Sequence, residues 1–354
     1  MAAMRRLADL QRSPEAPAPP PPSVLPLDVQ RVRTFATPEF AGMRFFEVEA
    51  KSALNRVRGM PFAWSVNPYR GCSHACTYCF ARPTHTYLNL SPTTDFERTV
   101  VVKVNVADVL RRELAKPTWR GESVAMGTNT DPYQRCEGRY ELMPRIIDAL
   151  GEGLTPFSIL TKGTLILRDL EPLARAAARV PVSAAFTIGM LDRSLWRSAE
   201  PGTPSPQARL HAVRRLAEAG ISTGVMLAPI MPGLNDDREQ IAALVDACAA
   251  AGAAHITPIV LHLRPGVREV FMPWLQEAYP ELVECYERLY QRTEAAASYR
   301  DEILAFVRNC RREAWRRHGK PDPSPGPASA QKGDAAVAKA EPAQLRLLES
   351  GSEA

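Results

Sequence analysis

Between residues 63 and 261, short apolar runs alternate with longer stretches whose apolar positions recur every three or four residues. The short runs lie at 63–66, 123–126, 157–160, 182–186, 225–228 and 256–261, and they predict six strands. A seventh apolar run at 100–104, Val-Val-Val-Lys-Val, also reads extended. Helical periods follow at 107–114, 144–150, 169–178 and 207–219. In the last of these Leu210, Val213, Leu216 and Ala217 share a face that Gly220 terminates. The next helix opens with Asp236 and Glu239 in capping-box positions and carries Ile241, Leu244, Val245 and Cys248 on one stripe. Strand–helix alternation of this kind requires a parallel sheet with its helices outside, an α/β fold. Six units suit an open partial (βα)6 barrel better than a closed eight-stranded one. The alternative, a doubly wound sheet, lacks a glycine-rich fingerprint after the first strand.

Beyond Leu263 the pattern turns helical, at 274–278, 281–296 and 300–317. The expected organisation is therefore a core over 41–265 and a C-terminal helical extension over 266–318. Two tails flank them, 1–40 and 319–354. Ala16-Pro-Ala-Pro-Pro-Pro-Pro22 favours extended polyproline, and the C-terminal tail is rich in Pro, Ser, Gly, Ala and charge, so both tails are expected to be disordered.

Composition changes this picture little. A chain of 354 residues with 45% hydrophobic positions can bury a large core. The net charge of +5 permits a nucleic-acid partner without requiring one. Seven cysteines, an odd number with three in one short segment, argue against a secreted disulfide framework. No apolar stretch reads as a signal peptide or a bilayer span, and the expected location is the cytoplasm.

The chemistry concentrates in Asn67-Pro-Tyr-Arg-Gly-Cys72-Ser-His-Ala-Cys76-Thr-Tyr-Cys79-Phe-Ala-Arg82. Cys72, Cys76 and Cys79 stand in a C-x3-C-x2-C spacing with Tyr78 before the last. Three thiolates so close can hold three irons of a [4Fe–4S] cluster and leave the fourth open to a cofactor. Zinc is the competing occupant; it would need a fourth ligand, for which His74 and His85 are nearest.

Each predicted strand runs into polar residues, and in a barrel these ends converge. The second ends in Gly127-Thr-Asn-Thr-Asp131-Pro-Tyr-Gln134, the third in Thr161-Lys162-Gly163 and the fourth in Thr187-Ile-Gly189. Lys162 can meet a carboxylate, while Asn129 and Asp131 can hold amino or hydroxyl groups. Asp131 can equally cap a helix that begins at Pro132.

These segments occur in one order together with Arg168-Asp169, Glu200-Pro201, Arg209-Leu210 and Ala228-Pro-Ile-Met-Pro-Gly-Leu-Asn235. The set resembles the radical S-adenosylmethionine (SAM) enzymes. Within them it resembles the spore photoproduct lyase-related, DNA repair photolyase-like proteins. His74 and Phe80-Ala-Arg-Pro-Thr-His85 are similar to an actinobacterial subgroup, and the resemblance covers residues 40–318. It implies that Cys72, Cys76 and Cys79 carry a [4Fe–4S] cluster whose fourth iron is chelated by SAM. An electron then splits the sulfonium to give methionine and a 5′-deoxyadenosyl radical. By the same resemblance Tyr78 packs on the adenine side, and Thr130, Asp131, Lys162 and Thr187 contact the cofactor. Glu200, Arg209, Tyr133 and Gln134 then lie behind the cofactor or toward the substrate, and a flavodoxin or ferredoxin is the expected reductant. The lyase takes its hydrogen donor from a cysteine just after the second strand. Here that place reads Met126-Gly127-Thr128, and Cys136 is the nearest thiol that can substitute, or else a plain structural cysteine.

Two other readings remain. Arg308, Arg311, Arg312, Arg316 and Arg317, with Trp315 among them, make the last helix basic enough to grip DNA or RNA, or simply a solvated face over Ile303, Phe306, Val307 and Cys310. An iron–sulfur protein without SAM turnover, binding nucleic acid or serving a structural role, is the alternative to the enzyme.

Overall fold

The computed structural model of the chain describes residues 27–320; the proline-rich segment and the far C-terminal segment lie outside the described residues. In chain order the elements are β1 (Val29–Arg33), β2 (Arg44–Val48), β3 (Asn55–Arg56), β4 (Trp64–Val66), β5 (Tyr69–Arg70) and β6 (Thr99–Lys103). Then come α1 (Val106–Leu114), β7 (Val124–Met126), α2 (Glu137–Tyr140), α3 (Leu142–Glu152), β8 (Phe157–Thr161) and α4 (Leu170–Ala177). After these follow β9 (Val182–Thr187), α5 (Arg193–Ala199), α6 (Pro206–Glu218), β10 (Ser222–Ile230), α7 (Arg238–Ala250) and β11 (Ile256–Val260). The extension consists of α8 (Arg268–Ala278), α9 (Val283–Leu289) and α10 (Ala297–Arg317).

The principal sheet has the order β11-β10-β9-β8-β7-β4-β3. Its six strands from β4 to β11 pair in parallel, each beside the next in sequence, and only the short β3 runs antiparallel at the edge. β4 and β11 do not pair, so the sheet is an open partial barrel, as six units require. Helices cover its outer face, with α1 on α3, α3 on α4 and α6 on β10. The apolar run of β10 is buried nearly throughout, as expected of a parallel strand covered on both faces. Local signals set the helix starts: Ser205 accepts the Ala208 amide at the entry of α6, with Pro206 at its first turn.

Three expectations are corrected. Residues 29–33, assigned by composition to the N-terminal tail, form β1. This strand pairs antiparallel with β2 in a second sheet of order β1-β2-β6-β5, and Phe40 is buried against Phe35 and Phe45. That sheet also takes the run at 100–104, which leaves the barrel at six strands. At α7 the capping residue is Asp237, which accepts the Gln240 amide at 2.9 Å. Asp236 instead accepts the Gly233 amide and the Tyr299 hydroxyl, tying α10 to the barrel. The helix predicted over 281–296 ends at Leu289. The Leu263 amide claims the Thr293 carbonyl at 2.7 Å, and burial of Tyr290 and Ala295 outweighs the local helical period. Among the described residues no helix is long and apolar enough to cross a membrane.

α10 buries Ile303, Leu304, Val307, Cys310, Ala314 and Trp315 and packs on α7 and β11. Cys248 and Cys310 are buried in this helical layer and Cys285 is partly exposed.

Gly127 turns the chain out of β7 at φ +87°, where a Cβ would stand 2.0 Å from the Leu160 carbonyl oxygen. Left-handed strain and the backbone clash act together, so Gly127→Ala is expected to lose about 2 kcal/mol or more of stability. Urea unfolding of the two proteins checks this, and an unshifted midpoint would contradict it.

Candidate metal and cofactor centre

β4 delivers the chain to Asn67, and β5 aligns Tyr69 and Arg70 against β6 immediately before the cysteine loop. Gly71 then turns at φ +82°. A Cβ there would meet the Thr99 carbonyl oxygen at 2.7 Å and that of Phe96 at 2.9 Å, so only glycine lets the loop lie on this backbone. The Cys72 amide donates to Phe96 O at 3.0 Å, the Thr77 amide to Ala199 O at 3.0 Å, and the Gly202 amide to His74 O at 3.0 Å. Gly202 is similarly constrained, since its Cβ would lie 2.1 Å from Ser73 O. The loop is thus sewn to residues 96–99 on one flank and 199–202 on the other.

The loop after β7 grips it from beside. The Thr130 hydroxyl donates to the Gly71 carbonyl at 2.7 Å, and the Gln134 amide nitrogen donates to the same oxygen at 3.1 Å. Gln134 Oε1 accepts the Ser73 amide at 2.9 Å. Asp131 accepts the Tyr133 amide at 2.9 Å, the Thr161 hydroxyl at 2.5 Å and the Lys162 amide at 2.7 Å, and its Oδ2 lies 3.2 Å from His74 Nε2. Burial alone would raise its pKa. The His74 charge and these hydrogen bonds outweigh burial and bring it down to about 2.

A second network reaches the loop from the other side. The Tyr78 hydroxyl donates to Glu200, which is buried and paired with the equally buried Arg209. Arg209 also donates to Thr187 O at 2.8 Å and Pro204 O at 3.0 Å. Burial would raise the Glu200 pKa, but Arg209 and Lys162 hold it below the ordinary carboxylate range. Lys162 Nζ lies 5.4 Å from the centre of the Tyr78 ring. Burial opposes its charge, yet Cys76 and Glu200 hold its pKa above the usual lysine value.

The residues named from sequence therefore divide. Cys72, Cys76, Cys79, Tyr78 and Lys162 are brought together. Thr130 and Asp131 lie beside them, but their polar atoms are engaged by the cysteine loop and the end of β8. Thr187 contributes its carbonyl to Arg209, and Asn129 faces a neighbouring cleft with Lys103. Cys136 is fully buried in the core beside Glu137, and burial pushes its thiol pKa well up. His74 Nδ1 lies 3.2 Å from Gly202 O and its Nε2 3.2 Å from Asp131, so both its nitrogens face partners, whereas His85 Nε2 lies 3.0 Å from Thr99 O with its ring against Phe96 and its Nδ1 is buried without a hydrogen-bond partner. Arg82 was missed. It is buried, donates twice to Cys76 O at 3.1 and 3.3 Å, and pairs with Glu97 at 2.8 Å. An arginine three residues after the last cysteine was the only signal. The buried Glu137, bonded by Tyr69 and Arg168, was also missed.

All seven cysteines are free thiols, and among the described residues no three His, Cys, Asp or Glu side chains already stand at metal-ligand geometry. The donor chemistry nevertheless fits an iron–sulfur cluster. Burial is the largest cause raising the pKa of Cys72, Cys76 and Cys79, and Cys79 lies near enough to raise Cys72 and Cys76 further. Burial pushes the Cys76 thiol up to about 12, so metal must displace its proton. His74 is engaged by Gly202 and Asp131, and the three thiols of the loop match a cluster that leaves one iron open.

A family model described as the radical SAM superfamily matches residues 66–245, and the chain belongs to that superfamily. The uncharacterized protein Rv2578c of Mycobacterium tuberculosis is 55% identical over 264 residues, 74% of this chain and 78% of that one. The uncharacterized protein MJ0683 of Methanocaldococcus jannaschii is 28% identical over 194 residues, 55% and 70% of the two chains. Spore photoproduct lyase complexed with dinucleoside spore photoproduct has the same fold, at TM-score 0.56 and 16% identity over 77% of this chain and 79% of that chain. A double mutant of that lyase, solved with bound AdoMet and the dinucleoside, superposes at TM-score 0.55 with 17% identity over the same shares.

Because the folded-state carboxyl of Asp131 titrates below its ordinary 3.8, its contribution is present above about pH 4 and is lost as pH falls through about 2. The shift is worth about 2 kcal/mol. In iron-free protein the stability gap between wild type and Asp131→Asn should therefore narrow by that amount between pH 6 and pH 2. Guanidinium unfolding at a series of pH values measures it, and a gap independent of pH would show the carboxylate to be unperturbed.

Proposed function

We propose that this chain is a radical SAM enzyme that abstracts a hydrogen atom from a substrate held at the C-terminal ends of β9, β10 and β11. The observation that carries the proposal is the triply anchored cysteine loop with the Lys162 ammonium beside Cys76 and Tyr78. In this reading Cys72, Cys76 and Cys79 hold the [4Fe–4S] cluster. When bound, the cluster and SAM supply reductive cleavage of the sulfonium and a 5′-deoxyadenosyl radical. Lys162 meets the SAM carboxylate and Tyr78 borders its adenine. Glu200 and Arg209 keep Tyr78 in place, so the cofactor meets groups that are already oriented. Thr130 and Asp131 act one step back, by fixing the loop and the Lys162 backbone. A flavodoxin or ferredoxin provides the electron.

A nucleic-acid component is our proposed substrate class, as in the lyase solved with a dinucleoside, and the exposed arginines of α10 can assist binding. The reaction itself differs from one that takes its hydrogen from a thiol after β7, because the loop there has none and Cys136 is buried. A purely structural iron–sulfur role would ask for a fourth protein ligand, and the contacts of His74 with Gly202 and Asp131 speak against its serving.

Anaerobic reconstitution with iron and sulfide, followed by dithionite and SAM, should yield 5′-deoxyadenosine, and Cys76→Ala should abolish it. Lys162→Met should keep the cluster's absorbance while weakening SAM binding at least about tenfold, the loss expected for one charge-assisted contact. A loaded cluster that releases no nucleoside and whose spectrum ignores SAM would overturn the enzyme reading.

A further inference from the structure

Two hydroxyls inside the cysteine loop are buried without a partner. Ser73 follows Cys72, and Thr77 follows Cys76. The two residues are 6% and 8% exposed, and Ser73 Oγ and Thr77 Oγ1 find no hydrogen-bond partner among the described residues. Their backbones, by contrast, are anchored. The Ser73 amide donates to Gln134 Oε1 at 2.9 Å and its carbonyl lies against Gly202, while the Thr77 amide donates to Ala199 O at 3.0 Å. The hydroxyls of Thr130, Thr161 and Tyr78, in the same centre, are spent on Gly71 O, Asp131 and Glu200.

A buried hydroxyl without an acceptor costs free energy, and buried polar groups in native folds are nearly always paired. Here the acceptors have a source. The segment that carries Ser73 and Thr77 closes around the iron when Cys72, Cys76 and Cys79 bind it, and the thiolate and sulfide sulfurs of a cluster accept hydrogen bonds. The charges around the thiols show why such donors matter. Asp131 acts on Cys72 and Cys79 and Glu200 on Cys76, and both carboxylates oppose further negative charge. Lys162 favours it at Cys76 and Cys79, and Arg82 at Cys79. At Cys72 the leading influences are burial and the Asp131 charge, and the residue that follows it is Ser73.

We propose that the Ser73 and Thr77 hydroxyls donate hydrogen bonds to sulfur atoms of the bound cluster and thereby raise its reduction potential. Reduction adds one electron to the iron and sulfur atoms, so a hydrogen bond to sulfur stabilises the reduced cluster more than the oxidised one. The two hydroxyls offset the carboxylates that stand near the cysteines, and they ease entry of the electron that the carrier protein supplies. They hold no iron and touch no reacting bond. The inference rests on the cluster reading of the three cysteines and deepens it by naming side chains that set the potential.

The potential is read without SAM and without turnover. Full-length protein is reconstituted anaerobically, assayed for iron and sulfide, and its midpoint potential measured by protein-film voltammetry. At a fixed potential the reduced-to-oxidised ratio should fall several-fold in Ser73→Ala and in Thr77→Val. In the double variant it should fall at least about tenfold, a midpoint about 59 mV more negative for one electron. Thr77→Ser keeps a hydroxyl and should return the wild-type value. Thr86→Val removes an exposed hydroxyl bonded to Pro83 O beyond the loop and should leave the potential in place. In iron-free protein the urea midpoint should not fall in Ser73→Ala or Thr77→Val, since neither hydroxyl has a partner there to lose. A double variant with the wild-type potential, or equal potentials for Thr77→Ser and Thr77→Val, would overturn the proposal. If Ser73→Ala fails to hold the cluster, Thr77→Val, which keeps the side-chain shape, decides alone. Wild type that loads no cluster sinks this inference and the enzyme reading together, whereas a loaded cluster with an unmoved potential sinks this one only.

Discussion

The carbonyl oxygen of Gly71 is the point on which the mouth of the barrel depends. It accepts hydrogen bonds from Thr130 and Gln134, both carried by the loop after the neighbouring strand, while Gln134 also takes the Ser73 amide. The same loop sends Asp131 to the Thr161 hydroxyl and the Lys162 amide at the end of β8. Three successive strand ends are thereby joined, and the cysteines ride on the first of them. Gly71 permits this because any side chain there would strike the backbone of Phe96 and Thr99.

The second lock is electrostatic. Burying Glu200 and Arg209 costs several kcal/mol of desolvation for each ion, and such a pair persists only where its remaining polar atoms are also bonded. Here they are: Tyr78 donates to Glu200, while the carbonyls of Thr187 and Pro204 accept from Arg209. The pair therefore does more than neutralise itself, because it fixes the aromatic side chain between Cys76 and Cys79 against the far side of the barrel. Arg82 completes the arrangement from below by holding the Cys76 carbonyl. Lys162 is left as the cation beside the thiols, kept charged by the anions around it.

The chemistry of the centre was legible where it depends on residue type and spacing. Three cysteines in one turn, an aromatic between the last two and a lysine at a strand end are local signals. Roles that depend on what a side chain meets were not legible. Thr130 and Asp131 stand at the expected strand end, yet the Thr130 hydroxyl donates to the Gly71 carbonyl and the Asp131 oxygens accept from the Tyr133 and Lys162 amides and the Thr161 hydroxyl. Cys136 sits only a few residues from the centre in sequence, but the turn into α2 points it into the core. The polyproline run at 16–22 suggested a tail reaching residue 40, whereas Val29 and Val32 find a pairing edge on β2.

The alternation of apolar runs and amphipathic periods was by itself enough to determine a parallel sheet with six units, an open barrel and a cysteine loop at its first strand end. These follow from local hydrophobic pattern, because burial of one face is demanded of each element wherever it lies. Tertiary structure alone decided that the run at 100–104 joins a second sheet, that the helix over 281–296 breaks, and which polar groups face the centre. Those outcomes turn on hydrogen bonds and ion pairs between distant residues, such as Tyr78 and Glu200, which lie 122 positions apart. A buried polar atom takes whichever partner the fold brings to it, and no local pattern in the sequence names that partner.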